Sequence, residues 1–130
     1  WLGIDSDKYI SEKHGFYDED GFNYKDIFNF DMDIEKCDSL NYFFSGPNHA
    51  VIAKGYNLDG GKTNGFLIEN SWGKKSGFDG NYFMSLDWFN KYNFIAVVDK
   101  KFVTKKVINA LKQKPIVLPY YSPFGAVLTS

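Results

Sequence analysis

The chain has 130 residues, a net charge of −1 and one cysteine. That length accommodates one domain with a real core, and a lone cysteine excludes an intramolecular disulfide, which favours a reducing compartment. No apolar run approaches the ~20 residues of a membrane-spanning helix, and no signal peptide is recognisable.

Charge is unevenly spread. Residues 1–40 hold eleven Asp and Glu against four Lys, whereas the stretch after Asp99 holds six Lys and no acid. A lysine-rich end raises nucleic acid as a partner. With no Arg and little aromatic interleaving, a solvated helix face is the simpler reading.

In chain order, Trp1-Leu2-Gly3-Ile4 reads as a short buried strand. The sequence opens on it without an initiating Met, as expected of a fragment or processed product. Residues 6–30 are polar and aromatic by turns, so a loop-rich region is expected. His14 lies here with no metal-ligand spacing to His49, which favours a solvent-facing or core-satisfied histidine. Asp33 to Phe44 reads as a helix with an imperfect apolar face of Ile34, Cys37, Leu40, Tyr42 and Phe44. Acids in its first turn suit the helix dipole, and Gly46-Pro47 is expected to stop it. Cys37 sits among acids that disfavour a thiolate, so it reads as structural rather than nucleophilic.

Two strand-like runs follow, Pro47 to Ala53 and Phe66 to Gly73. Between them Asn57-Leu58-Asp59-Gly60-Gly61-Lys62-Thr63-Asn64 is turn chemistry, and the pair reads as an antiparallel hairpin. A turn centred between Asp59 and Gly60 sets His49 opposite Asn70 on one face of the sheet. A wider loop shifts this by a residue or two and keeps them neighbours. An imidazole and a carboxamide within reach make half of a nucleophilic site, a base and the group that orients it. Glu69 alternates to the other side and reads as structural.

Residues 73–80 form a glycine-punctuated loop, and Asn81 to Ser85 a third strand. Asp87 or Ser85 can cap a short helix through Tyr92. Phe94 to Val98 reads as a fourth strand. Thr104 caps a helix to Lys112, with Val107, Ile108 and Leu111 expected to face in. Ile116-Val117-Leu118 is extended between prolines. The sum is an α+β chain, antiparallel strands with peripheral helices, expected as one unit over 1–130.

A His heading an apolar strand, then Glu69-Asn70-Ser71-Trp72-Gly73 some twenty residues on, resembles the papain-like cysteine peptidases. Gly80 to Phe89, Ala96 to Val103, Lys114 to Pro119 and Ser122-Pro123-Phe124-Gly125-Ala126 look like the bleomycin hydrolase branch, the cysteine aminopeptidases. The likeness is sharp over 47–126 and loose over 1–46. It implies the strand-rich, right-hand half of a papain-like enzyme. The nucleophilic Cys and oxyanion-hole Gln of such enzymes lie upstream, outside this sequence.

The resemblance gives roles. His49 would take the thiol proton and return it to the leaving amine, Asn70 would fix the ring, and Trp72 would cover their hydrogen bond and exclude water. The C-terminal tail, Ala126, Val127, Leu128, Thr129 and Ser130, would lie in the cleft and hold the substrate's free amine. The implied partners are peptides with a free N-terminus, the Cys-bearing part of the same enzyme, and further copies in a hexameric ring. Some members are reported to bind nucleic acid. No metal or cofactor is expected, and the location implied is the cytoplasm. The other function open to the residues is a non-catalytic module kept for binding or assembly.

Overall fold

The structure, a computed structural model, describes residues 1–123. Seven strands form one sheet: β1 (Leu2–Ile4), β2 (Ile10–Ser11), β3 (Phe16–Tyr17), β4 (His49–Asp59), β5 (Lys62–Glu69), β6 (Asn81–Ser85) and β7 (Asn93–Ala96). Their order is β2-β3-β6-β5-β4-β1-β7. All neighbours are antiparallel except β3 and β6. The first strand thus closes the sheet between two later ones. Four short helices lie outside the strands: α1 (Tyr24–Phe28), α2 (Lys36–Asn41), α3 (Leu86–Tyr92) and α4 (Lys105–Ala110). This is the α+β arrangement expected.

The hairpin β4–β5 turns at Gly60-Gly61, with Asp59 paired to Lys62. Both glycines have positive φ, at 55° and 80°. A two-residue hairpin turn of this hand needs φ > 0 at both central positions, which Gly-Gly meets with no Cβ penalty at either. The turn centre therefore lies one residue beyond the Asp59–Gly60 position expected. Two irregularities follow, one beside Lys54 and one beside Asn64, on opposite strands. They cancel, so Ile52 faces Glu69 in the register set at the turn. Continuing that register puts Asn70 across from Val51, with His49 two residues along on the same face. A shift of two residues leaves the facing of side chains unchanged.

Leu2, Ile4, Tyr17, Val51, Ile68, Tyr82, Met84, Trp88 and Tyr92 make the core. They come from alternate positions of the strands and from the inner face of α3. Ser85 caps α3 by accepting from Trp88 N–H at 3.3 Å. Trp88 is fully buried, and its indole N–H donates to the Lys8 carbonyl at 2.8 Å. That bond satisfies the one polar atom of a large apolar side chain. Lys36 of α2 reaches the carbonyls of Asn90 and Asn93 and closes the end of α3. Lys91 binds both Glu19 and Asp33, and Tyr92 donates to Glu19 at 2.7 Å. The acidic early region is thereby tied to α3.

Several expectations are corrected. Residues 6–30 hold β2, β3 and α1, too short to show periodicity. The helix expected over 33–44 is only Lys36–Asn41, with Ser39 its one buried residue. It does not run on to Gly46-Pro47. Phe43 turns left-handed at φ 58°, with Phe44 N–H on Ser39 O and Phe43 N–H on Leu40 O. That pair of bonds is the Schellman closure, here built on a phenylalanine. The fourth strand begins at Asn93 and ends at Ala96, where Val97 N–H pairs with Trp1 O. Thr104 does cap α4, but the helix buries no residue; Val107 and Leu111 are exposed. Ile108 is half-buried and lines a shallow pocket with Val98 and Val103.

These placements separate two leucine-type positions. Ile68→Ala should lower the unfolding free energy by roughly 2–5 kcal/mol, because a buried cavity forms. Leu111→Ala should change it by less than about 0.5 kcal/mol. Denaturant unfolding of both variants checks the pair.

The buried phenols give an alkaline limit. Burial raises the pKa of Tyr9, Tyr17 and Tyr92 above the ordinary phenol range, Tyr92 further through Glu19. For Lys91 burial works against the charge, but Asp33 and Glu19 outweigh it and the ammonium lies above its ordinary range. Each group holds its proton more tightly folded than unfolded, so its contribution is intact below the unfolded pKa of about 10 and is lost above it. Lys36, lowered by burial, runs the other way. Stability should therefore fall as pH rises above about 10, and less steeply in Tyr92→Phe. Denaturant midpoints across the alkaline range measure this.

Candidate active site

His49 is the first residue of β4, and its backbone is held from two sides. It pairs with Ile4 of β1, and Asn48 N–H donates to Ile4 O at 2.9 Å. The turn before it is built on a buried carboxylate. Asp5 accepts from Ser45 Oγ at 2.6 Å, from Gly46 N–H, and from Asn48 Nδ2 at 3.2 Å. Asn48 Oδ1 in turn accepts from Ser6 N–H at 2.8 Å and from Ser6 Oγ. A carboxylate with that many donors fixes the chain entering the strand. Sequence reading missed Asp5. Its only signal was an acid directly after a buried strand, with a Ser and an Asn to receive it.

Asn70 stands one residue past the end of β5. Its N–H donates to Gly80 O at 3.0 Å, which keeps it beside the start of β6. Its side chain is buried and hydrogen-bonded at both ends. Oδ1 receives His49 Nε2 at 2.8 Å and Ser71 N–H at 2.7 Å. Nδ2 donates to the Tyr17 hydroxyl at 3.1 Å.

That arrangement fixes the protonation pattern. A backbone N–H can only donate, so the atom it meets must be the amide oxygen. The oxygen accepts from His49 Nε2, so the neutral ring carries its proton on Nε2. Nδ1 is left with a lone pair, and among the described residues no protein group bonds it. The ring is half-buried, so Nδ1 is a lone pair held in position and open to an outside group.

Trp72 stacks on the imidazole, with centroids 5.1 Å apart and planes 25° apart. Its edge meets Tyr82 at 88°. The structure thus brings His49, Asn70 and Trp72 together, the first two diagonal across the hairpin rather than directly opposed. Trp72 remains 39% exposed. Glu69 faces away and pairs with Lys54 at 3.2 Å. His14 bonds Ser11 Oγ at 2.9 Å and lies over Phe16. Cys37 is exposed on α2 with its thiol toward Asp38, and makes no bond to His49. Among the described residues no three His, Cys, Asp or Glu side chains gather as metal ligands. No helix among them is long and apolar enough to cross a membrane. The tail positions Ala126 to Ser130 lie outside the described residues.

The Peptidase C1-like family profile matches residues 1–125. Aminopeptidase C of Listeria monocytogenes is 34% identical over 127 residues, 98% of this chain and 29% of that protein. Human bleomycin hydrolase is 32% identical over 132 residues, with the same shares. The crystal structure of PepW from Lactobacillus rhamnosis superposes with a TM-score of 0.85 at 32% identity, covering 98% of this chain and 29% of that one. The fold is therefore papain-like, and the chain spans less than a third of the relatives it matches. The profile match over all but the last five residues places this chain in the Peptidase C1-like family.

Proposed function

We propose that this chain is the His- and Asn-bearing part of a cysteine aminopeptidase of the bleomycin hydrolase kind. The observation behind the reading is the His49–Asn70 pair with Nδ1 open. It is supported by the names of the relatives, aminopeptidase C and bleomycin hydrolase. Cys37 is a poor nucleophile candidate on position and surroundings. The thiol would come from a Cys-bearing part of the same protein.

The steps follow from the ring geometry. The thiol proton passes to His49 Nδ1, leaving thiolate beside imidazolium. Thiolate attacks the peptide carbonyl, and a carbon–sulfur bond forms. The imidazolium returns its proton to the leaving amine as the carbon–nitrogen bond breaks. Water then attacks the thioester while His49 takes its proton; the carbon–sulfur bond breaks, the carboxylic acid leaves, and the imidazolium returns the proton to the thiolate. Asn70 holds the ring through both turns without changing protonation. An amide suffices because the thiolate is the counter-charge for the imidazolium. Trp72 shields one ring face.

The substrates would be peptides with a free N-terminal amine, bound against the C-terminal tail. A free-thiol enzyme suits the reducing cytoplasm. Copies would assemble as a ring of six with sites facing inward, as the resemblance implies. More large apolar side chains are exposed than buried among the described residues, which suits a chain with further surface to cover.

The test is made on the complete protein with aminoacyl fluorogenic substrates. His49→Ala should lower kcat by roughly 10²–10⁴-fold, the span of general acid–base catalysis. The 130-residue chain alone should not hydrolyse them. Cleavage by the chain alone, lost on His49→Ala, would overturn the divided-site reading. Undiminished turnover by His49→Ala in the complete protein would leave the non-catalytic module as the better account.

The tail is tested separately. Removing Val127 to Ser130 from the complete protein should admit internal cleavage of longer peptides. Unaltered one-residue trimming would count against the tail's role.

A further inference from the structure

Among the described residues, Tyr17 is the one core side chain outside the hairpin that hydrogen-bonds to the His49–Asn70 pair. It lies in a two-residue strand, 53 positions from Asn70, fully buried. Strand β3 runs parallel beside β6, with Tyr17 at Met84. The ring is wedged between Trp88 at 4.8 Å and Tyr82 at 5.3 Å. Its hydroxyl oxygen therefore sits where packing puts it, and there it accepts from Asn70 Nδ2 at 3.1 Å.

We propose that Tyr17 is a positioning residue, holding the amide of Asn70 in place and through it the ring of His49. This rests on the reading of His49 as the base. The terminal torsion of an Asn is soft, with two orientations half a turn apart. In the observed one the oxygen meets Nε2 and the lone pair stays on Nδ1. In the other an N–H meets Nε2, the ring must accept there, and the proton moves to Nδ1. The lone pair that takes the thiol proton is then gone.

The Ser71 N–H, which can only donate, selects the first orientation by holding the oxygen end. The Tyr17 hydroxyl then holds the nitrogen end in place. The Ser71 contact is backbone, so Tyr17 is the side-chain contribution. A neutral phenol suits the task, because an acceptor buried there must not introduce charge. Burial raises the Tyr17 pKa, which keeps the hydroxyl un-ionised. Accepting from Nδ2 also polarises the amide toward Oδ1, which strengthens its hold on imidazolium.

The test is Tyr17→Phe in the complete protein, which keeps the packed ring and removes only the acceptor. We expect kcat to fall about tenfold, the worth of one buried hydrogen bond, with KM within about twofold. The pH profile should narrow, its acid limb moving up and its alkaline limb moving down, because imidazolium is less well held. In an Asn70→Ala background the same substitution should change kcat by less than about twofold, since the residue it acts through is gone. Equal losses in both backgrounds would mean a packing role only and would overturn the proposal.

A readout independent of catalysis separates the two ideas. In thiol-blocked protein the His49 Nε2 proton, held on Asn70 Oδ1, should exchange slowly with water. Tyr17→Phe should speed that exchange severalfold, because the amide is less well held. An unchanged exchange rate would overturn the role of Tyr17. Activity surviving His49→Ala would instead strike at the base assignment and leave the exchange result standing.

Discussion

One oxygen, Asn70 Oδ1, accepts two hydrogen bonds at 2.7 and 2.8 Å, and the chemistry of the site follows from that. The first donor is a backbone N–H, which cannot reverse its role. The second is an imidazole nitrogen, which can. The fixed donor decides the identity of the acceptor, and the acceptor decides the protonation of the ring. A site built this way needs no charged neighbour to set its tautomer. A neutral amide orients the ring without adding a charge beside it.

The rest of the sheet keeps that oxygen and that ring in register. The ring hangs from the start of β4, which β1 holds from outside and Asp5 braces from below. The amide hangs from the end of β5, which β6 and the Gly80 carbonyl hold. Bulges disturb both strands of the hairpin farther along, but they fall on opposite strands and cancel before the site. Strand ends are usually where a sheet frays. Here both ends are tied, one by a buried carboxylate and one by a buried phenol.

How much of this a reader of the sequence can see depends on whether a residue acts locally or at a distance. The His49–Asn70 pairing is legible because Asp59-Gly60-Gly61 announces a turn and parity survives an error of two residues. Strand β6, the Ser85 cap and α3 are legible because alternation and capping are local signals. Tyr17 and Asp5 are not. Each lies more than forty residues from the group it serves, in a region with too little regular structure to show a period. The inward face assigned to α4 fails for another reason. Amphipathic spacing says which side of a helix is apolar, not whether anything is there to cover it.

Exposure at the site carries the last step. A hydrogen bond between neutral groups strengthens as water is removed from around it. The Asn70 side of the pair is dry, enclosed by Tyr17, Tyr82 and the core. The His49 side is not, since Trp72 covers one ring face while itself standing 39% exposed. The described chain thus finishes the orienting half of the site and leaves the reacting half open. In the proposed enzyme the surface that brings the thiol to Nδ1 would also complete the drying of the ring. Assembly and activation of the base would then be one event, because the same contact supplies the nucleophile and lowers the local dielectric.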